Sequence, residues 1–301
     1  MNFLFFLSQH RTDAMTTFFR FVTHFGEETI VILFLCFLFW CKNKNFAYRL
    51  SLGYFFSGLC VQGLKVLFQI PRPWLIDPGF QAVPQAIPKA TGFSFPSGHT
   101  QNVTTLFGFL GFASKKWIGR ILCALMICLV GFSRMYLGVH TPKDVLVSFL
   151  ISIGIIICVT LFYHPETISP KADLFLSFLF AFFSLLIIAI CSILYLQGSI
   201  ELRYLADCSK AAGAGLGFSI AYYVERRMIH FSTSTNHIWQ QFFKYFIGLF
   251  LTFVLKEGIK FAFGTSLFVN GLRYFILIFW VIAIWPWIFM RLFHPSRKNL
   301  K

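Results

Sequence analysis

Long apolar blocks separated by short polar connectors recur along the whole sequence, and most approach or exceed the ~18–20 residues that cross a bilayer. They place about nine spans, near residues 18–40, 46–70, 98–114, 117–138, 142–162, 173–196, 209–224, 239–263 and 268–292. Each is expected to be helical, because hydrocarbon offers no partner to an open backbone N–H or C=O. The expected architecture is an all-α polytopic membrane helix bundle. The seventh block, rich in small residues from Ala211 to Gly217, suits close helix packing. Residues 1–17 read as an interfacial segment with Arg11 and Asp13 facing water.

Composition agrees with membrane residence. Of 301 residues, 57% are hydrophobic, 42 are Phe and only 12% are charged, too few polar groups to cover a soluble globule of this size. The eight cysteines lie mostly in or beside apolar blocks, without metal-type spacing, and read as small apolar fillers. The N-terminal Met1–Leu7 stretch lacks the basic region and the cleavage site of a signal peptide.

The net charge of +15 changes the picture only through its distribution. Lys and Arg sit mainly in the connectors rather than on a basic face interleaved with aromatics, so a nucleic-acid partner is not expected. Alternate connectors carry thirteen basic residues on one side, including Lys42, Lys115, Arg226 and the tail Arg297, Lys298 and Lys301, against eight on the other. By the positive-inside bias the richer side is cytoplasmic, which puts the C-terminus inside and the N-terminus outside.

The longest connector, residues 71–96, holds six prolines and cannot be helical throughout. It falls on the non-cytoplasmic side, where three polar clusters converge: Lys65-x6-Arg72-Pro73, Pro96-Ser97-Gly98-His99 and Ser133-Arg134-x5-His140-x3-Asp144. The chemistry such a set suits is phosphoryl transfer. Arg offers a bidentate fork and Lys a point charge to phosphate oxygens. Ser97, Gly98 and His99 open a helix, whose unpaired N–H groups attract anions. One imidazole can attack phosphorus while a second protonates the leaving oxygen. Asp144, four residues beyond His140, can orient it. Taken singly, Asp144 and Ser97 read as helix caps, and the histidines and cations as interfacial anchors.

Together the three clusters resemble the complete signature of the type 2 phosphatidic acid phosphatase superfamily, which includes glucose-6-phosphatase and the vanadium haloperoxidases, over about eighty residues. The resemblance implies a phosphatase with no metal or other cofactor. It gives His140 as nucleophile, Asp144 as its orienting partner, and His99 as acid and later base; Lys65, Arg72, Ser97, Gly98 and Arg134 cradle the phosphate. The division it suggests is 1–17 interfacial, 18–162 catalytic core and 163–301 additional membrane helices, a long form resembling glucose-6-phosphatase. The expected substrate is a phosphorylated lipid or similar amphiphile at the non-cytoplasmic face. Transfer of the phosphate to a lipid acceptor is the alternative within the same chemistry. A transporter or receptor is the alternative from another class, motivated by Lys256, Glu257 and Lys260 inside the eighth block. These three residues, like Glu27 and Glu28, are expected to pair internally or face a cavity. Vanadate inhibition with phosphate trapped on His140 separates enzyme from transporter.

Overall fold

A computed structural model describes residues 1–235 and 237–293, and the expected tail charges Arg297, Lys298 and Lys301 lie outside them. The described residues are all-α with no strand. The helices are α1 (Asn2–Gln9), α2 (Asp13–Thr23), α3 (Glu28–Phe37), α4 (Lys44–Phe68), α5 (Pro73–Ile76), α6 (Gly98–Ala113), α7 (Trp117–Tyr136), α8 (Pro142–Phe162), α9 (Pro170–Leu196), α10 (Leu202–Val224), α11 (Ile238–Phe263), α12 (Leu267–Phe279) and α13 (Trp285–Phe293).

Every expected apolar block is helical. Five helical stretches are long and apolar enough to cross a membrane: 44–76, 117–136, 142–162, 170–196 and 267–293. A sixth forms if α2 and α3, bent by 46° at Gly26–Glu28, make one broken span. This is an integral membrane protein with five to six such spans; α6, α10 and α11, the remaining expected spans, fall outside that count.

The chain divides into two compact units, residues 1–32 with 49–163 and residues 33–48 with 164–301. In the first unit α6 packs on α7 and α8. Gly53 admits the Phe109 ring and Gly108 the Ile156 side chain. A buried polar seam joins α4 to α6, with Gln101 Nε2 donating to Ser57 Oγ at 2.7 Å and Ser57 Oγ 3.1 Å from Thr105 Oγ1. Such small-residue and hydroxyl contacts hold helices together where lipid removes the hydrophobic drive to associate.

The proline-rich connector is ordered against this unit. Val83, Ala86 and Ala90 pack with Phe19 of α2, with Tyr136 at the end of α7 and with Leu137 and Val139 just after it. Arg11 does not face water as expected: its Nε donates to Tyr136 O at 3.1 Å and its Nη1 to Gln81 O at 2.7 Å, tying the N-terminal segment to the connector. Tyr136 O lies at the end of α7 and Gln81 O in the non-helical connector, both without helical partners, and one guanidinium satisfies the two.

In the second unit the small residues of α10 do allow the close approach expected, Gly213 meeting the Gly271 backbone and Gly217 the Phe275 backbone of α12. Asp173 is fully buried and accepts from Tyr222 Oη at 2.5 Å, Arg226 Nε at 2.9 Å and Arg227. Glu225, also buried, pairs with Lys44 at 3.0 Å. Lys256 and Glu257 are half-buried; Lys260 is exposed in the last turn of α11, where its stem can carry the charge to the interface.

Candidate active site

The three sequence clusters meet in the first unit. Lys65 ends α4, and its Nζ donates to Phe93 O at 2.6 Å. Arg72, just before α5, donates from Nε to Gly92 O at 2.8 Å and from Nη1 to Val139 O at 2.9 Å. The same Nη1 lies 2.8 Å from His140 Nε2. Arg134 ends α7 and donates to Thr23 Oγ1 at 2.7 Å, leaving its Nε buried without a hydrogen-bond partner. The three cations are 9%, 6% and 2% exposed, and the acid buried beside them is Asp144. Concentrated positive charge out of water calls for an anion.

His140 sits in the turn between α7 and α8. Gly138 makes that turn possible with φ +78°, and a Cβ there would collide with Arg11 Nη2 at 2.8 Å. Val139 N and His140 N both return to Arg134 O, at 3.1 and 3.3 Å. Because guanidinium can only donate, Nε2 of His140 must accept, which assigns the proton to Nδ1. Nδ1 faces Asp144 Oδ2 at 3.4 Å. Burial first, then Arg72, Arg134 and Lys65, hold the His140 imidazole well below the usual histidine pKa. It is therefore neutral near pH 7, with its lone pair on the cationic side.

Asp144 sits where both readings of the sequence place it, at the start of α8 and facing His140. It completes a capping box with Thr141 at the start of α8, Thr141 N donating to Oδ2 at 2.8 Å, while the same carboxylate backs His140. Ser94 Oγ also donates to Oδ2, at 2.6 Å. Ser97 likewise caps α6, its Oγ accepting from Thr100 N, and Ser97 N donates to Asp144 O at 3.2 Å. Space beside Gly98 is open, since an added Cβ would meet nothing within 4 Å. His99 stands in electrostatic reach of Arg134, His140 and Arg72, and its Nε2 is buried without a hydrogen-bond partner. All eight residues expected from sequence thus surround one place.

Residues outside the clusters also build the site. Gly26 ends a 3₁₀ turn, His24–Gly26, pressed against His99, and its carbonyl accepts from Asn102 Nδ2 at 2.9 Å. Ser94, Thr23 and the carbonyls of Gly92, Phe93 and Val139 hold the polar side chains in place. Backbone acceptors carry no side-chain signal, and Gly26 lies far from the motifs in sequence. Glu27 pairs as expected, with Lys89 at 2.7 Å and His24 at 2.8 Å, whereas Glu28 is exposed.

Residues 46–168 match the PAP2 superfamily, and residues 209–297 match the transmembrane extension of PAP2 superfamily phosphatases. The chain belongs to the PAP2 superfamily. Among PAP2 relatives, an undecaprenyl-diphosphatase of Sulfolobus acidocaldarius is 44% identical over 64 residues, 21% of this chain and 31% of that protein. Undecaprenyl-diphosphatase BcrC of Bacillus subtilis is 28% identical over 167 residues, 55% of this chain and 82% of its own length. Phosphatidylglycerophosphatase B of the same organism is 27% identical over 147 residues, 45% and 68% of the two chains. This chain therefore spans about a third of the archaeal relative's length and most of the two bacterial ones. No solved structure matches significantly. The PAP2 relatives are phosphatases by name, so the chain belongs to a family of phosphoric ester hydrolases.

Proposed function

We propose that this PAP2 protein hydrolyses a lipid phosphate, monoester or diphosphate, through a phosphohistidine on His140 at the non-cytoplasmic face of its membrane. The observation that carries the reading is Arg72 Nη1 at 2.8 Å from His140 Nε2, which holds an oxyanion ligand and the nucleophile's lone pair at one point. A phosphate entering there draws Arg72 onto its oxygens, together with Lys65, Arg134 and the N–H groups opening α6. Nε2 then attacks phosphorus, the bond to the leaving oxygen breaks with its electron pair, and His99 protonates that oxygen. The bound anion's own charge allows His99 to hold a proton among three cations. Asp144 keeps Nδ1 protonated as the ring becomes cationic. Water next attacks the phosphohistidine, His99 takes a proton from it, and inorganic phosphate departs from neutral His140.

The lipid character of the substrate is supported by the membrane helices and by relatives named for undecaprenyl diphosphate and phosphatidylglycerophosphate. The excess of basic connectors opposite the site supports its sidedness. The test is a panel of phosphatidic acid, phosphatidylglycerophosphate, prenyl diphosphates and sugar phosphates, assayed with purified protein in detergent without added metal. Phosphate release from a lipid, abolished in His140→Ala, is expected, with label trapped on His140 after acid-free quenching. Turnover that survives in His140→Ala refutes the mechanism.

A further inference from the structure

A charged cluster outside the three motifs adjoins the turn that packs on His99. Gly26 presses its backbone on His99: a Cβ there would lie 2.9 Å from His99 O and 3.0 Å from His99 Cβ. Glu27, the next residue, accepts from Lys89 Nζ at 2.7 Å and faces His24 Nδ1 at 2.8 Å. Lys89 comes from the proline-rich connector, so the pair joins that connector to the turn that buttresses the acid. Lys89 is close enough to act electrostatically on His99, and Glu27 on Arg134. The Lys89 side chain is 56% exposed and Glu27 27%, so the pair contributes little stability and is free to open.

We propose that Lys89 is a specificity-determining residue that binds the departing phosphate of a lipid diphosphate, with Glu27 as its resting counter-ion. The proposal rests on the phosphatase reading above. His99 delivers its proton to the bridging oxygen. In a monoester the atom beyond that oxygen is carbon; in a diphosphate it is a second phosphorus bearing anionic oxygens. When the terminal P–O bond breaks, its electron pair passes to the bridging oxygen and the His99 proton joins it, so the departing lipid monophosphate carries the anionic charge of its non-bridging oxygens, which an alcohol lacks. A lysine beside His99 meets that charge and has nothing to neutralise on an alcohol. Its flexible stem can swing from Glu27 to the phosphate, while Glu27 stays with His24.

The experiment compares kcat/KM on farnesyl diphosphate and farnesyl monophosphate, two substrates with one tail, for the full chain in detergent. Lys89→Ala is expected to lower the diphosphate-to-monophosphate ratio about tenfold, and Lys89→Arg to keep most of it. Glu27→Gln, which frees the lysine, is expected to lower KM for the diphosphate more than for the monophosphate. An unchanged ratio in Lys89→Ala, or a KM effect of Glu27→Gln equal on the two substrates, overturns the proposal. Failure of the phosphatase reading is seen separately, as turnover of both substrates by His140→Ala.

Discussion

Arg72 makes the most demanding prediction, because one guanidinium serves three acceptors: Gly92 O, Val139 O and His140 Nε2, all at 2.8–2.9 Å. The substitution Arg72→Lys keeps the charge but replaces a planar fork by a single ammonium on a shorter reach. At least one buried carbonyl is then stranded, at about 1–3 kcal/mol, and one charge-assisted bond to phosphate is lost, at about 1.5–3 kcal/mol. The lost phosphate bond lowers kcat/KM about 10- to 10²-fold, while the stranded carbonyl lowers the stability of the fold. Arg72→Ala adds a second signature. The guanidinium disfavours the imidazolium form of His140, and this free-enzyme pKa governs the acid limb of kcat/KM. Removing the cation raises the His140 pKa, so the acid limb moves to higher pH. Burial, the larger cause, remains and keeps it below the ordinary histidine value. In Arg72→Lys the charge persists, and the limb moves less. The assay is a pH series of initial rates on one soluble short-chain lipid phosphate. A Lys variant within about threefold of the parent, or an Ala variant whose acid limb stays or moves down, would show that Arg72 does not act on His140 or phosphate as described.

Two further outcomes follow from the same contacts. Gly26→Ala pushes a Cβ to 2.9 Å from His99 O and Val130 Cγ1, so His99 must shift; activity on an alkyl phosphate should fall roughly tenfold, and on p-nitrophenyl phosphate, whose leaving group needs no acid, much less. Equal losses on the two esters would remove Gly26 as a positioning residue for the acid. In the second unit, Asp173→Asn leaves Arg226 and Arg227 facing a neutral amide, at a cost of about 3–5 kcal/mol for a broken buried pair. A melt in detergent should show a lower Tm, and an unmoved Tm would contradict that pairing.

The sequence carried the site further than it carried the scaffold around it. That Lys65, Arg72, Ser97, Gly98, His99, Arg134, His140 and Asp144 would come together was legible because their three clusters together resemble the phosphatase signature, each residue alone reading as a cap or an anchor. What shapes them was not. The acceptors that aim Lys65 and Arg72 are main-chain carbonyls of Gly92, Phe93 and Val139, which any residue supplies. Ser94 belongs to none of the three clusters, and only the fold brings its hydroxyl to Asp144 at 2.6 Å. Sequence predicts Arg11 in water because it gives no view of the carbonyls of Tyr136 and Gln81 that the guanidinium finds. The apolar blocks located helices well, but block length alone does not show that Thr100, Gln101, Thr104 and Thr105 of α6 turn inward and are buried.

The division of the chain has a consequence for its biogenesis. The second unit begins with residues 33–48, made before α6, α7 and α8, and is completed only by residues 164 onward. Trp40 Nε1 finds its acceptor at Val281 O, 2.9 Å away, and Lys44 its carboxylate at Glu225, partners separated by 241 and 181 positions. During translation an indole N–H and an ammonium therefore wait through most of synthesis for their partners. A nascent chain halted near residue 163 would hold every residue of the candidate active site while Trp40 and Lys44 still lacked their partners, a species with buried-type polar groups exposed that quality-control proteases and insertion chaperones should recognise before the finished protein exists.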